Sequence, residues 1–174
     1  MITLDTLQAI CPSTRASKLE LYVDPLNAAM AEYSIDWTPV REAAFLAQIA
    51  HESGSFNYVR ELASGEAYEG RDDLGNTESG DGRRFKGRGL IQITGRANYN
   101  TCGQALSLPL LDSPELLEEP VNAARSAAWF WDSRHLNELA DRGDFKTITR
   151  KINGGLTHYA ERVELWERAQ GALT

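Results

Sequence analysis

The sequence predicts a mainly α-helical single domain, residues 1–174, with a small loop or hairpin lobe of about residues 57–90 inserted between helices. Three observations carry this: apolar residues recurring at helical spacing behind capping signals, glycines that stop those runs, and a central segment of turn formers. A chain of 174 residues is about one domain long and can bury roughly two-thirds of its unfolded surface. Its 42% apolar and 25% charged residues suit a soluble globular chain, and no low-complexity linker or internal repeat divides it.

The first clear helix opens at Thr38-Pro39, an N-cap followed by proline at the first helical position, with Glu42 supplying first-turn negative charge. Val40, Ala43, Ala44, Ala47 and Ala50 recur beside Phe45, Leu46 and Ile49, so most of this helix is expected to be buried. It ends near His51-Glu52-Ser53-Gly54, where Gly54 is the stop. A carboxylate at the end of a buried helix is costly unless that end opens into a cleft.

From Glu61 to Asp81 the chain carries Gly65, Gly70, Gly75 and Gly80 with Asp72-Asp73 and Asn76, which reads as a long loop or short hairpin. Long loops inside compact domains are usually lids or binding loops. Leu90, Ile91 and Ile93, bounded by Gly89 and Gly95, form an apolar run too short to decide between strand and buried turn. Helical patterns then resume. Ser126 to Trp131 is a bulky apolar segment, and Asp144 caps a helix containing Phe145, Ile148 and Ile152 that Asn153-Gly154-Gly155 ends. The last helix carries Tyr159, Val163, Trp166 and Ala169 on one face; core packing is expected for Trp129, Trp131 and Trp166.

Several function classes are excluded. A net charge of −7 argues against nucleic acid, whose binders need a basic surface. The only basic cluster is Arg83, Arg84, Lys86 and Arg88, either a local anion patch or a solvated loop. No run of about 18 apolar residues suggests a membrane span, and Met1-Ile2-Thr3-Leu4-Asp5 has neither basic n-region nor apolar h-region, so synthesis in a cytoplasm without an export signal is expected. His51, His135 and His158 match no metal-ligand spacing; neither a metal nor a cofactor is expected. Cys11 and Cys102 read as two buried free thiols, although a disulfide cannot be decided from sequence.

The chemistry is argued from carboxylates. Glycoside hydrolysis needs one protonated acid at the leaving oxygen and one ionised carboxylate, in unlike environments. Glu52, ending an apolar helix beside Phe56, sits where partial desolvation favours the protonated form and is the better acid. Glu61 opens a wet loop next to Arg60, where the ionised form is favoured, and is the better base. Two glutamates nine apart are weak evidence among 25 acidic residues.

Their surroundings are specific. Ala50-His51-Glu52, the block from Gly87 to Thr94, Asn98-Tyr99, Trp129-Phe130-Trp131, and the run from Ile148 to Gly155 followed by Arg162-Val163 resemble glycoside hydrolase family nineteen, the chitinase family that includes phage endolysins. The resemblance covers about residues 45–166. It implies a lysozyme-like helical fold, a small lobe across a cleft, and inversion at the anomeric carbon. By the same resemblance Glu52 is the general acid and Glu61 the general base, with Glu66 and Glu69 as alternatives for the base. Thr94 stands where plant members hold the attacking water with a serine hydroxyl. Gln92, Asn98 and Asn153 match sugar- or water-binding amides, and Arg162 a basic residue beneath the cleft. Gln92 and Thr94 can alternatively satisfy local backbone, and Asn153 can be a plain helix terminator. Ala97 replaces a plant tyrosine, and the loops that extend the plant cleft are missing.

The motif set most resembles that of a phage endolysin, which implies a monomeric N-acetylmuramidase expected to act on peptidoglycan glycan strands in the periplasm, without stable membrane association. A separate holin would release it. A small chitinase and a non-catalytic wall-binding or virion-associated protein are the alternatives.

Overall fold

The computed structural model describes all 174 residues, and it is helical as the sequence predicts. Nine α-helices run in the order α1 (Leu4–Ile10), α2 (Ala16–Glu32), α3 (Pro39–Glu52), α4 (Asp81–Arg84), α5 (Arg96–Leu106), α6 (Pro120–Ser133), α7 (Leu136–Asp141), α8 (Phe145–Asn153) and α9 (Tyr159–Ala172). No helix is long and apolar enough to cross a membrane.

Helix α3 is the centre of the molecule. Thr38 caps it, its side chain accepting from the Arg41 N–H, and every residue from Glu42 to Ala50 is buried. Its broadest packing is against α9, while α2 packs on α6. Together they enclose one continuous cluster of 39 buried apolar residues. Apolar burial of this kind is the main drive to the fold. Helix α8 also begins and ends where expected, with the Asp144 side chain accepting from Thr147 N–H and Gly154 left-handed at φ +77° beyond its end. Cys11 and Cys102 are free and buried.

Two expectations are corrected and one alternative is decided. In α9 the buried line runs through Arg162, Leu165 and Ala169, whereas Tyr159, Val163 and Trp166 are half-buried; the Trp166 ring stacks on Phe145 with centroids 4.4 Å apart. Of the α6 aromatics Trp129, Phe130 and Trp131 only Trp131 is fully buried, its indole N–H donating to Asn137 Oδ1 at 2.9 Å. Of the two forms expected for the inserted lobe it takes the loop: its pairing is reduced to two isolated antiparallel bridges, Arg60 with Arg88 and Arg88 with Ile93. Its frequent glycines, four of them at positive φ between Gly65 and Gly80, turn the chain before a ladder can form.

Polar cross-links hold the lobe in place of a ladder. The buried Asp81 carboxylate receives Arg96 Nε at 2.8 Å, Arg96 Nη2 at 2.7 Å and the Glu78 N–H at 3.0 Å. Asn76 donates to Tyr68 O and accepts from the Arg96 N–H. Hydrogen bonds from Arg96 hold the Asp81 carboxyl below the usual range for an aspartate. A pKa depressed on folding contributes stability that is complete above the unfolded value, about 3.9, and disappears as pH falls through the folded value. Asp81→Asn is therefore expected to cost about 2 kcal/mol at neutral pH. The difference in urea midpoint from wild type should shrink below about pH 4. Equal midpoints at pH 7 would remove Asp81 from the account of lobe stability.

Candidate active site

Helix α3 delivers Glu52 to a cleft, and an unusual turn brings the chain back across it. Gly54, Ser55 and Phe56 are successively left-handed, at φ +56°, +58° and +65°. Two non-glycine residues in that region store strain of order 1–3 kcal/mol each. Burial of Phe56 against Tyr22 and hydrogen bonds to Ser53, Ala50 and Thr14 hold the turn. Beyond it the chain runs extended past Gly87–Gly89, with the Glu61 N–H donating to Gly87 O at 2.9 Å and the Gly89 N–H to Val59 O at 2.8 Å. Glu52 and Glu61 thereby line the same cavity of about 400 Å³, together with Tyr58, Leu62, Tyr68 and Gln92.

Their surroundings differ from expectation. Glu52 does not sit in an apolar pocket: its Oε1 accepts Arg162 Nη2 at 2.6 Å. That arginine is 1% exposed and also donates to Gln48 Oε1 at 2.6 Å. Gln48 donates in turn to Thr149 Oγ1, so α3, α8 and α9 meet in one buried polar chain ending at the cleft. The other Glu52 oxygen makes no protein hydrogen bond, and the residue lines the cavity. Asn153, the last residue of α8, lines neither this cavity nor the one adjoining it and has Oδ1 3.5 Å from Arg162 Nη2.

Glu61 is enclosed more than expected. Its Oε2 accepts the Gly87 N–H at 2.9 Å and the Tyr68 hydroxyl at 3.2 Å, and its Oε1 is buried without a protein partner. Burial and the negative charge of Glu61 push the Tyr68 hydroxyl pKa up, which keeps it a donor. Arg60, expected to favour the charged carboxylate, borders the same cavity but forms its ion pair with Glu118 at 3.9 Å. Adjacency in sequence therefore did not make the guanidinium the ion-pair partner of Glu61.

Gly87 allows the site to close up. A Cβ there would stand 2.6 Å from both Glu61 Oε2 and Gln92 Oε1 and 3.3 Å from Thr94 Oγ1. Three polar groups therefore crowd a backbone position that suits only glycine. The apolar run around Leu90 is a buried turn, closed by mutual Arg88 and Ile93 backbone bonds, with Gln92 left-handed at φ +61°. Gln92 and Thr94 satisfy local backbone and also face the cleft: Gln92 Nε2 donates to Gly89 O and Thr94 Oγ1 to Gln92 O, while Gln92 Oε1 remains by Glu61. Asn98 donates to Thr94 O and lines an adjoining cavity of about 130 Å³ with Gln92, Thr94, Trp129 and Phe130. Trp129, expected to pack in the core, packs against it and is also cleft wall, as is Phe130.

Glu66 and Glu69 do not line the cavity of Glu52. Glu66 pairs with Arg83, and Glu69 accepts the N–H groups of Gly80 and Gly82 at 2.7 and 2.8 Å. The basic cluster likewise disperses. Arg84 donates to Leu111 O and Lys86 to Ala63 O, and Arg88 is buried against Glu118 and Tyr99. Tyr68 and the Gly87 N–H were missed by sequence reasoning, because nothing in loop spacing signals which tyrosine or amide a fold will turn toward a carboxylate.

Known proteins resemble this chain in sequence and in fold. The family described as Chitinase class I, glycoside hydrolase family 19, matches residues 35–141. An endochitinase of Arabidopsis thaliana is 43% identical over 114 residues, covering 65% of this chain and 38% of that protein. The chain thus spans well under half the length of that plant relative. A glycosyl hydrolase family 19 domain-containing protein of Haemophilus influenzae is 32% identical over 159 residues, covering 73% of this chain and 77% of that one. In fold, the crystal structure of a bacterial family 19 chitinase superposes with a TM-score of 0.81 at 23% identity, over 99% of this chain and 94% of that one. Chitinase C from Streptomyces griseus gives 0.80 at 24% identity, over 99% and 76%. With a matched segment that runs from the turn before α3 through α7, and a bacterial relative aligned along most of both chains, this protein belongs to glycoside hydrolase family 19.

Proposed function

We propose that this protein hydrolyses β-1,4 bonds in N-acetylated glycan by inverting acid/base catalysis, and that its substrate is peptidoglycan, as in a phage endolysin. The observation that carries the reading is Glu52 and Glu61 lining one cavity in unlike settings, one against a buried guanidinium and one against a tyrosine, a backbone amide and an orphaned oxygen. Glu52 Oε2, free of protein donors, serves the leaving oxygen as general acid. Glu61 takes a proton from the attacking water. Thr94 Oγ1 spends its own hydrogen on Gln92 O, so toward the cleft it acts as acceptor. A water that gives one hydrogen to Thr94 and the other to Glu61 presents its lone pair to the anomeric carbon. Gln92, Asn98 and Asn153 supply amides for N-acetyl and hydroxyl groups, and Arg162 holds Glu52.

The biological setting proposed with it is lysis of a host wall: synthesis in the cytoplasm, passage through a holin lesion, and action in the periplasm as a monomer. Chitin hydrolysis is the second reading, favoured by the plant relatives named as endochitinases. Proton NMR of freshly released reducing ends tests the mechanism. The α-anomer is expected first; early β-anomer would mean retention. Rates on chitin oligomers and on peptidoglycan, measured side by side, test the substrate, and faster chitin cleavage would overturn the endolysin assignment.

A further inference from the structure

The cleft holds one cation without a counter-ion. Arg134 lines the cavity that shares Gln92 with the catalytic one, alongside Thr94 and Asn98. The other two cleft arginines are paired, Arg162 with Glu52 and Arg60 with Glu118. Acidic residues outnumber basic ones 25 to 18 in this chain, yet no carboxylate lies within ion-pair distance of Arg134. Its guanidinium carbon is 3.3 Å from the Phe130 ring centroid, which fixes the plane of the group. Only Nη1 is engaged, in long bonds to Phe130 O at 3.4 Å and Ser133 Oγ at 3.2 Å. The Nε–Nη2 edge has no protein acceptor, and that edge is the one that grips a carboxylate with two parallel hydrogen bonds. A second cation with no ion-pair partner, Lys151 of α8, reaches Arg134 O at 3.4 Å.

A half-buried permanent charge without an anion costs free energy in the free protein, and an anionic ligand recovers it. We propose that Arg134 is a specificity-determining residue: stacked on Phe130, it receives a carboxylate carried by the glycan, and so favours the lactyl- and peptide-substituted strands of peptidoglycan over neutral chitin. The inference rests on the glycan-hydrolase reading above and deepens it.

Three substrates of matched length separate the possibilities: a neutral N-acetylglucosamine oligomer, peptide-free peptidoglycan strands that expose lactyl carboxylates, and intact strands bearing stem peptides. Arg134→Ala is expected to lower the charged-to-neutral ratio of kcat/KM about tenfold, mostly through KM, as loss of a charge-assisted pair implies. Arg134→Lys should recover part of the ratio. A fall on peptide-free strands identifies the lactyl carboxylate as the partner, and a fall on intact strands alone identifies the stem peptide. An unchanged ratio, with kcat/KM altered equally on all three or on none, would overturn the proposal. Should wild type turn over none of the three, the hydrolase reading fails by itself. Equilibrium binding of wild type and Arg134→Ala to peptide-free strands then decides the inference, a difference of less than twofold counting against it.

Discussion

Glu61→Gln is expected to lower turnover roughly 100- to 10,000-fold, the range associated with loss of a positioned general base, with the fold intact. The amide oxygen can still accept the Gly87 N–H and the Tyr68 hydroxyl, the two donors that hold the side chain now. Its melting temperature should therefore stay close to wild type. Glu52→Gln is expected to fall into the same range of activity but with a different stability signature. It strips the countercharge from Arg162, which is almost fully buried, and about 1–3 kcal/mol of stability should go with it, since Glu52 itself is a fifth exposed. The double variant should be little slower than either single one, because acid and base act in one step. Turnover by Glu61→Gln at half the wild-type rate or better would remove Glu61 from the chemistry. Glu66 and Glu69 would not replace it without a rearrangement, as both are committed to Arg83 and to the α4 amides outside the cavity.

Local signals were legible and long-range ones were not. Thr38-Pro39 and Asp144 with Gly154 mark helix ends because a cap acts within four residues, so α3 and α8 lie where the sequence puts them. Helix α2 carries no such mark: Arg15 offers no side-chain cap, and Pro25 within the helix removes a donor that a sequence reader takes for a break. The glutamates were found through neighbouring words shared with a family. Their surroundings were not, since the guanidinium that meets Glu52 arrives from 110 residues away and the tyrosine that meets Glu61 from a turn with no periodicity. The cleft-facing side of Trp129 was not legible, because bulk predicts burial but not whether the burying surface is core alone or core and cleft wall.

Arg162→Met is expected to be the most destabilising single change at the site, by about 3–5 kcal/mol. Methionine fills the aliphatic path of the arginine, so the loss is not a cavity effect. It comes from leaving Glu52 without its partner and Gln48 Oε1, fully buried, without a donor. The same variant should be inactive, which by itself says nothing about mechanism. A double-mutant cycle with Glu52→Gln makes the distinction. If the ion pair is the unit, removing the carboxylate from the Arg162→Met background should recover stability, with a coupling energy of about 1–3 kcal/mol measured by urea unfolding. If the two losses simply add, Arg162 is held by Gln48 and the junction of α3, α8 and α9, and its nearness to Glu52 does not orient the acid. A partly recovered, inactive fold is the expected result, since the double variant no longer leaves a carboxylate unpaired, still leaves Gln48 Oε1 without its donor, and lacks the proton donor.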